Sequence, residues 1–172
     1  MKTIIFDTSA LITAITGNAN FTQSLLLLAE KKLVRIVASQ DTLDELKAVL
    51  EYEKVEKIIK TELKYFLQIY WQNVELVDVP HTTKSLALGT TKDPKDDMYI
   101  ALCEHTKADY LVSLDRKHLV VLEHWKNTQI VLPTKALIGV AKSYGFEPKN
   151  NELLPEWWHS ISAKLLSQNP NS

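Results

Sequence analysis

The sequence predicts a three-layer α/β/α sandwich, in which helices cover both faces of a central parallel sheet of four to five strands. Three observations lead to this prediction. Short runs rich in Val, Ile, Leu and aromatic residues alternate with amphipathic segments of helical length. The connections between these segments are short, as in α/β units. The 172 residues, of which 45% are hydrophobic and 24% are charged, suffice for one domain with its own core.

The first half of the chain contains three predicted strands. They cover residues 4–6, 33–38 and 74–77, and the first strand ends at Asp7. Four helices are predicted in this half. The first begins near residue 10 with Thr8 or Ser9 as cap, and the second covers 24–31. The third runs from a cap at Ser39 or Asp41 through Leu50, and the fourth covers 54–72. Asn18 and Asn20 are predicted to break the first of these helices.

The second half continues the same alternation. A short helix is predicted near Leu86, and Asp93-Pro94 marks the start of a helix that runs to about residue 106, because Pro is favoured at the first helical position. A strand over 110–114 ends at Asp115, and a strand over 130–132 precedes a helix over 135–144. We expect residues 1–144 to form the main domain. Residues 145–172 are predicted to form a C-terminal loop and helix, whose Trp157-Trp158 pair packs back onto the domain.

The single cysteine and the hydropathy pattern predict a cytoplasmic protein. Cys103 cannot form a disulfide within the chain, and its apolar surroundings in the sequence predict a core position. The apolar run at the start of the chain is too short for a signal peptide. The apolar runs, such as Leu25–Ala29, are far below the ~20 residues of a membrane span. We therefore expect no membrane association.

Acidic residues end two of the predicted parallel strands, Asp7 the first and Asp115 the fourth. The carboxyl ends of parallel strands share one edge of the sheet, where α/β proteins bind their ligands. A carboxylate at this edge is costly unless it is paired or binds a metal, although either residue alone could be a helix or turn cap. Two such residues at one edge favour a functional site.

Further acids lie on helices at positions that fit the same site. Glu45 falls at the shoulder of the apolar face of its helix, whereas Asp44 points away, and the alternative for Glu45 is a solvated helix acid. Asp93 is interpreted as the N-cap of the following helix. Asp96 and Asp97 lie in the first turn of that helix, where one of them could serve only to stabilise it. Three acids within five residues exceed what capping requires.

Convergence of these carboxylates predicts a metal site. Carboxylates that share one pocket repel one another unless a cation intervenes. Oxygen ligands select hard ions, Mg²⁺ or Mn²⁺, and no His/Cys ligand pattern competes, because the five His are scattered and there is one Cys. One or two such ions support an in-line displacement at a phosphodiester.

Four segments of the chain form an ordered series of motifs. They read IIFDTSALI at 4–12, SQDTLDELKAVL at 39–50, DPKDDMYIALCEHTKADYLVSLD at 93–115 and IVLPTKAL at 130–137. Over residues 2–142 this series resembles the PIN-domain family, and in particular its branch of bacterial toxins. The resemblance implies a PIN-like, Rossmann-like fold. It also implies that the catalytic and metal-binding residues are Asp7, Glu45, Asp96, with Asp97 as the alternative, and Asp115.

The resemblance also assigns a role to two hydroxyl residues. Ser9 and Ser113 match positions at which the family carries a polar residue close to its first and fourth acids. Each hydroxyl is expected to hydrogen-bond a carboxylate or a water molecule at the metal, or to act as a local cap. Leu114 departs from the family pattern, which has a small or polar residue just before the fourth acid.

The function implied by the resemblance is that of a cytoplasmic endoribonuclease that depends on Mg²⁺ or Mn²⁺ and cleaves RNA. It would be the toxin of a toxin–antitoxin pair, with an antitoxin protein and a second copy of the chain as expected partners. The alternative is a degenerate, non-catalytic PIN module that binds RNA or a protein. The net charge of −1 is not that of a strongly basic nucleic-acid binder. Candidates for local phosphate contacts, unless they are ordinary solvated charges, are Lys92, Lys95, Arg116 and Lys117.

Two other classes of α/β enzyme fit the sequence less well. A phosphatase of the haloacid dehalogenase type requires Asp-x-Asp at the end of the first strand, and Ser9 occupies the second Asp position here. A dinucleotide-binding enzyme requires a G-x-G-x-x-G loop. The four glycines of this chain, which are Gly17, Gly89, Gly139 and Gly145, form no such loop.

Overall fold

A six-stranded sheet forms the centre of the computed structural model, which describes residues 1–17 and 21–145. Its strands are β1 (Lys2–Phe6), β2 (Val34–Ala38), β3 (Val74–Leu76), β4 (Tyr110–Val112), β5 (His124–Trp125) and β6 (Thr128–Val131). Their order across the sheet is β3-β2-β1-β4-β6-β5. The first five in this order are parallel, as predicted, and β5 pairs with β6 in the antiparallel direction. The sequence did not predict β5, because a strand of two residues shows no alternation.

Helices follow most strands, as the sequence predicts. They are α1 (Thr8–Thr16), α2 (Phe21–Glu30), α3 (Gln40–Leu50), α4 (Glu53–Glu56), α5 (Lys64–Asn73), α6 (His81–Ala87), α7 (Asp97–Thr106) and α8 (Pro133–Ser143). Three short 3₁₀ helices cover Thr61–Leu63, Pro94–Asp96 and Val120–Leu122. Ser39 caps α3 through a capping box with Thr42, and this resolves the choice between Ser39 and Asp41.

The prediction of one long helix over 54–72 is wrong. The chain leaves helical geometry after α4, and Lys60 is extended, with φ −87° and ψ 124°. Its N–H donates to the carbonyl oxygen of Ile15, at 3.0 Å, instead of to a carbonyl group in its own helix. A tertiary hydrogen bond to α1 therefore breaks a segment whose apolar spacing alone favours a continuous helix.

Helices cover both faces of the sheet, which confirms the three-layer architecture. On one face, Ile4 and Phe6 of β1 pack with α1, α2, α3, α5 and α8. On the other face, Ile5 packs with residues of α6 and α7, among them Tyr99. Successive side chains of a strand point to opposite faces, so a strand buried on both sides is a continuous apolar run.

The order of the strands creates a crevice at the carboxyl edge of the sheet between β1 and β4. From β1 the chain builds outward to β2 and β3, and it then crosses back to place β4 on the other side of β1. Ligands of open α/β sheets bind at such a switch point. Asp7 follows β1 and Ser113 follows β4, so both residues lie at this crevice.

Some predictions concern residues outside the described ranges. These are the break at Asn18 and Asn20 and, apart from Gly145, the C-terminal segment 145–172 with Trp157-Trp158. Within the described ranges, none of the helices combines the length and the apolar character that crossing a membrane requires. Cys103 is free and buried, as predicted for a core residue.

Candidate metal centre

Asp7 links the end of β1 to the start of α1, which it caps. The residue exposes 6% of its surface, and its carboxylate accepts the Ser9 N–H at 3.0 Å and the Ser9 hydroxyl at 2.6 Å. The Ser113 hydroxyl donates to the same oxygen, Oδ2. Burial raises the pKa of Asp7 in spite of these hydrogen bonds, and the charge of Glu45 raises it further. Asp7 is thus held rigidly in a position where its negative charge is unfavourable.

Ser9 and Ser113 tie Asp7 to the loop that follows β4. Besides donating to Asp7, the Ser9 hydroxyl accepts the Leu114 N–H at 3.0 Å. The Ser113 hydroxyl likewise accepts the Asp115 N–H at 2.9 Å. Each hydroxyl therefore bridges the carboxylate and the backbone of the loop. This arrangement fixes the backbone of Asp115 relative to Asp7.

Glu45 reaches the same edge of the sheet from α3. Its Oε2 accepts hydrogen bonds from the Thr8 hydroxyl, at 2.7 Å, and from the Tyr99 hydroxyl. Tyr99 also accepts the N–H of Thr8 at 3.1 Å. The neighbouring Asp44 is exposed and pairs with residues of its own helix, as the helical geometry predicts. The second oxygen of Glu45, Oε1, receives no hydrogen bond from the described residues.

Asp96 is the most unfavourably placed acid of this region. Its side chain is 14% exposed, and its Oδ2 is buried without a hydrogen-bond partner in the described part of the chain. Burial raises the pKa of Asp96 to about 7, and four neighbouring carboxylates add to this increase. These carboxylates belong to Asp7, Asp93, Asp115 and Glu45. The five acids together are called the acidic cluster below.

Asp115 is stabilised by its own loop. Burial acts to raise its pKa, but the backbone N–H groups of His118 and Lys117 and the His118 ring together lower it below the usual value. The His118 Nδ1 atom lies 2.9 Å from Asp115 Oδ2 and 3.9 Å from Asp96 Oδ2. The five His are scattered along the sequence, but the turn after Asp115 brings one of them, His118, back to the acids.

One set of three possible ligands is especially close. Asp93, Asp96 and His118 each offer a donor atom, and these atoms all lie within 4.8 Å of one another. Asp93 also caps the 3₁₀ helix Pro94–Asp96 by accepting the Lys95 N–H, as predicted. Asp115 contacts this set through His118, and the charges of Asp7, Glu45 and Asp115 all act on Asp96. The structure thus brings all four predicted acids to one edge of the sheet, while their catalytic role stays a prediction.

Asp97 faces away from the acidic cluster. It is buried, and it accepts the Thr91 N–H at 2.9 Å, the Thr91 hydroxyl at 2.8 Å and the Gly89 N–H at 2.6 Å. Burial acts to raise its pKa, but these donors together lower it below the usual value. Asp97 therefore fastens the loop that precedes α7, and of the two neighbouring acids Asp96 is the one directed to the site.

Asp97→Asn should destabilise the domain by about 2 kcal/mol or more, because an amide nitrogen would face backbone N–H donors in a buried position. Urea unfolding of the variant would measure this loss. Asp44→Asn, at an exposed acid, is the control and should stay within about 0.5 kcal/mol of the original chain. An Asp97→Asn protein of unchanged stability that no longer responds to Mn²⁺ would make Asp97 the ligand instead.

The four predicted phosphate-contacting residues lie beside the cluster. Lys92, Lys95, Arg116 and Lys117 are all exposed, and none forms an ion pair with another described residue. The backbone of Lys95 donates to Asp93 and that of Lys117 donates to Asp115, so two of the cations adjoin the acids directly. Contact with phosphate remains a prediction for all four.

Sequence reasoning missed three residues that contact the acids, namely Thr8, Tyr99 and His118. Thr8 was interpreted as a candidate cap of α1, but Asp7 is the cap and Thr8 is already in the helix; Tyr99, which is buried, was assigned no role. Its position three residues after Asp96, on the same side of a helix, is the signal that could have identified it. His118 follows Asp115 by three residues, but a loop has no regular period from which its direction can be predicted.

The comparison with protein families identifies the class to which this geometry corresponds. Residues 3–117 match the model of the PIN domain, and the chain belongs to the PIN-domain family. Among solved structures, the chain is similar to one in the crystal structure of VapBC2 from Rickettsia felis bound to a DNA fragment from their promoter. The two chains share 18% sequence identity with a TM-score of 0.52, over 76% of this chain and 98% of that chain. At this identity the similarity concerns the fold. No curated protein matches the chain.

Proposed function

We propose that this chain is a divalent-metal-dependent endoribonuclease that hydrolyses phosphodiester bonds of RNA. Its catalytic and metal-binding residues would be Asp7, Glu45, Asp96 and Asp115. The observation that carries the proposal is the state of Asp96, whose pKa is raised to about 7 among four other carboxylates and whose Oδ2 is buried without a partner among the residues that the structure describes. A buried carboxylate without a partner destabilises the folded state, and a bound cation would offset this cost.

The chemistry of the residues fits Mg²⁺ or Mn²⁺. Carboxylate oxygens dominate the acidic cluster, and hard ions prefer oxygen ligands. Asp96 Oδ2 and Glu45 Oε1, which lack hydrogen bonds from the described residues, are the oxygens best suited to bind an ion directly. His118 adds a nitrogen donor, which Mn²⁺ accepts more readily than Mg²⁺ does. When bound, the ion would offset the repulsion among the carboxylates and act as a Lewis acid toward the phosphodiester.

The remaining residues of the site would orient these ligands. Ser9 and Ser113 hold Asp7, and the hydroxyls of Thr8 and Tyr99 hold Glu45, so that little reorganisation is needed when the substrate binds. The ring of His118 orients Asp115. The lysines and the arginine at the rim would contact phosphates on either side of the cleaved bond. This local positive charge would attract RNA although the net charge of the chain is close to zero.

Cleavage of an unstructured, fluorescently labelled oligoribonucleotide tests the proposal. We expect cleavage with Mn²⁺ or Mg²⁺, its loss with EDTA, and its return when the ion is added back in excess. Glu45→Gln should lower the rate about tenfold to a hundredfold, since it weakens one ligand. Asp44→Asn, one residue earlier on the exposed side of α3, should cleave normally.

The degenerate, non-catalytic PIN module is the alternative outcome. Under that alternative, the pure chain binds the oligoribonucleotide but leaves it intact, and millimolar Mn²⁺ does not change the melting temperature. A trace of contaminating nuclease is excluded if the activity falls in the Glu45→Gln variant purified in the same way as the original chain.

A role as the toxin of a toxin–antitoxin pair in the cytoplasm is part of the proposal. It is supported by membership of the PIN family and by the fold shared with a chain of VapBC2. We expect a small antitoxin to be encoded beside this chain, to co-purify with it and to suppress its cleavage of RNA. Light scattering of the free chain and of the complex would report whether the chain also forms a homodimer.

A further inference from the structure

A pocket of about 190 Å³ opens beside the acidic cluster. Segments of α1 and α2, the loop after β4, and the start of α8 line it. Its wall residues include Phe21, Thr22, Leu114, Arg116, Pro133 and Thr134. It is called the flanking pocket here. It is smaller than the pockets that hold drug-sized molecules, and it fits one flat heterocycle.

The flanking pocket is directly connected to the acidic cluster. Leu114 and Arg116, which line it, are the two neighbours of Asp115. The Leu114 N–H donates to the Ser9 hydroxyl, which in turn donates to Asp7. Two hydrogen bonds therefore separate the wall of the pocket from the acid at the end of β1.

The walls combine apolar surfaces with a few polar groups. The ring of Phe21 and the side chains of Leu114 and Pro133 provide apolar area, whereas Arg116 is exposed and forms no ion pair with the described residues. The Thr22 hydroxyl is buried and has no hydrogen-bond partner among the described residues, so a polar edge in the pocket would offer it one. Within the described ranges no side chain caps α8, whose first turn adjoins the pocket and favours an anion.

We propose that the flanking pocket holds one unpaired nucleobase of the RNA, next to the phosphodiester that is cleaved. The base would pack between Phe21 and Leu114, and Arg116 would contact its phosphate. Bases bind to aromatic and apolar side chains in this way when they are not paired, so the pocket selects single-stranded RNA and helps to set the position of the cut. This inference rests on the proposed ribonuclease function and extends it. It also gives a role to Leu114, which departs from the family pattern.

Scanning with abasic nucleotides tests the flanking pocket. The cleavage position is first mapped on an unstructured oligoribonucleotide with Mn²⁺, and the bases around it are then removed one at a time. Loss of one base beside the cut should lower kcat/KM about tenfold or more, and loss of bases further away should have little effect. Leu114→Ser should lower the rate on the intact oligonucleotide by a similar factor. In Leu114→Ser, removal of the same base should lower the rate little further, because the two changes remove the same contact.

Control variants and a binding assay separate the two proposals. Leu86→Ser changes a leucine that is even more exposed and that does not line the pocket, so it should behave like the original chain. Phe21→Ala provides a second change among the residues that line the pocket. Fluorescence anisotropy of the abasic series with the Asp7→Asn variant measures base binding without cleavage. It should show the same sensitive position.

Distinct results overturn each proposal. An abasic series that is uniformly cleaved and bound, with normal activity of Leu114→Ser, overturns the base pocket and leaves the ribonuclease intact. A complete absence of cleavage, combined with one sensitive position in the binding series, overturns the catalytic function but not the pocket. If Leu114→Ser leaves RNA binding unchanged and abolishes binding of a co-purified protein, the pocket is a protein-binding site and the base proposal is wrong.

Discussion

Replacement of Asp7 by Asn should lower the rate of RNA cleavage at least about a thousandfold, equivalent to about 4 kcal/mol of transition-state stabilisation. Three hydrogen bonds from two serines hold Asp7 in place. An amide at this position keeps the shape of the side chain but removes the negative charge that a divalent ion requires. Single-turnover cleavage at saturating protein would measure the loss.

The Asp7→Asn variant should remain folded. Asn caps a helix as well as Asp does, and removal of a buried charge relieves the desolvation that raises the pKa of Asp7. We therefore expect its free energy of unfolding at neutral pH to stay within about 1 kcal/mol of the original value. Asp109→Asn is the opposite control, because Asp109 binds Lys2 and the Thr3 N–H where β4 begins, away from the cluster. Asp109→Asn should lower the free energy of unfolding and leave the rate of cleavage unchanged. A folded, fully active Asp7→Asn protein would reject the mechanism.

Asp96→Asn should abolish most of the response of the protein to pH and to divalent ions. The pKa of Asp96 is about 7 in the folded protein and near 3.8 in the unfolded chain, so the folded state binds the proton more tightly. The stability linked to this group is complete below pH 3.8 and is lost as the pH rises through 7. Without metal, the melting temperature of the original chain should therefore fall between pH 6 and pH 8. One proton corresponds to at most about 1.4 kcal/mol per pH unit, or roughly 2–4 °C.

A bound cation should cancel this dependence. Mn²⁺ competes with the proton for Asp96, so it should raise the melting temperature more at pH 8 than at pH 6. In Asp96→Asn both effects should shrink, and the affinity for Mn²⁺ measured by calorimetry should fall about a hundredfold. Asp97→Asn, at the adjacent residue, should lower the melting temperature at every pH but keep the response to Mn²⁺. A pH profile of Asp96→Asn identical to that of the original chain would show that the acidic cluster is not coupled through Asp96.

Much of the fold could be predicted from local patterns. The strand at 4–6 was recognised, as was the apolar part of the strand predicted at 110–114, which is β4 at Tyr110–Val112, because a strand buried on both faces is a continuous apolar run. The hydroxyl of Ser39 before an apolar helix made it one of two candidate caps for α3. The helix over 54–72 was not predictable in the same way. Its apolar spacing is helical throughout, and the break at Lys60 depends on a hydrogen bond to Ile15, forty-five residues earlier in the chain.

The candidate site, like the fold, could be predicted from local patterns only in part. The sequence by itself determined that acids follow β1 and β4 and lie at one edge of the sheet, because strand direction and apolar periodicity are properties of neighbouring residues. Only the tertiary structure decided that Asp96, and not Asp97, faces the cluster, that Tyr99 holds Glu45, and that His118 returns to the acids. Consecutive residues of a helix point about 100° apart. Which of Asp96 and Asp97 meets the other acids therefore depends on how α7 packs against α3 and the sheet.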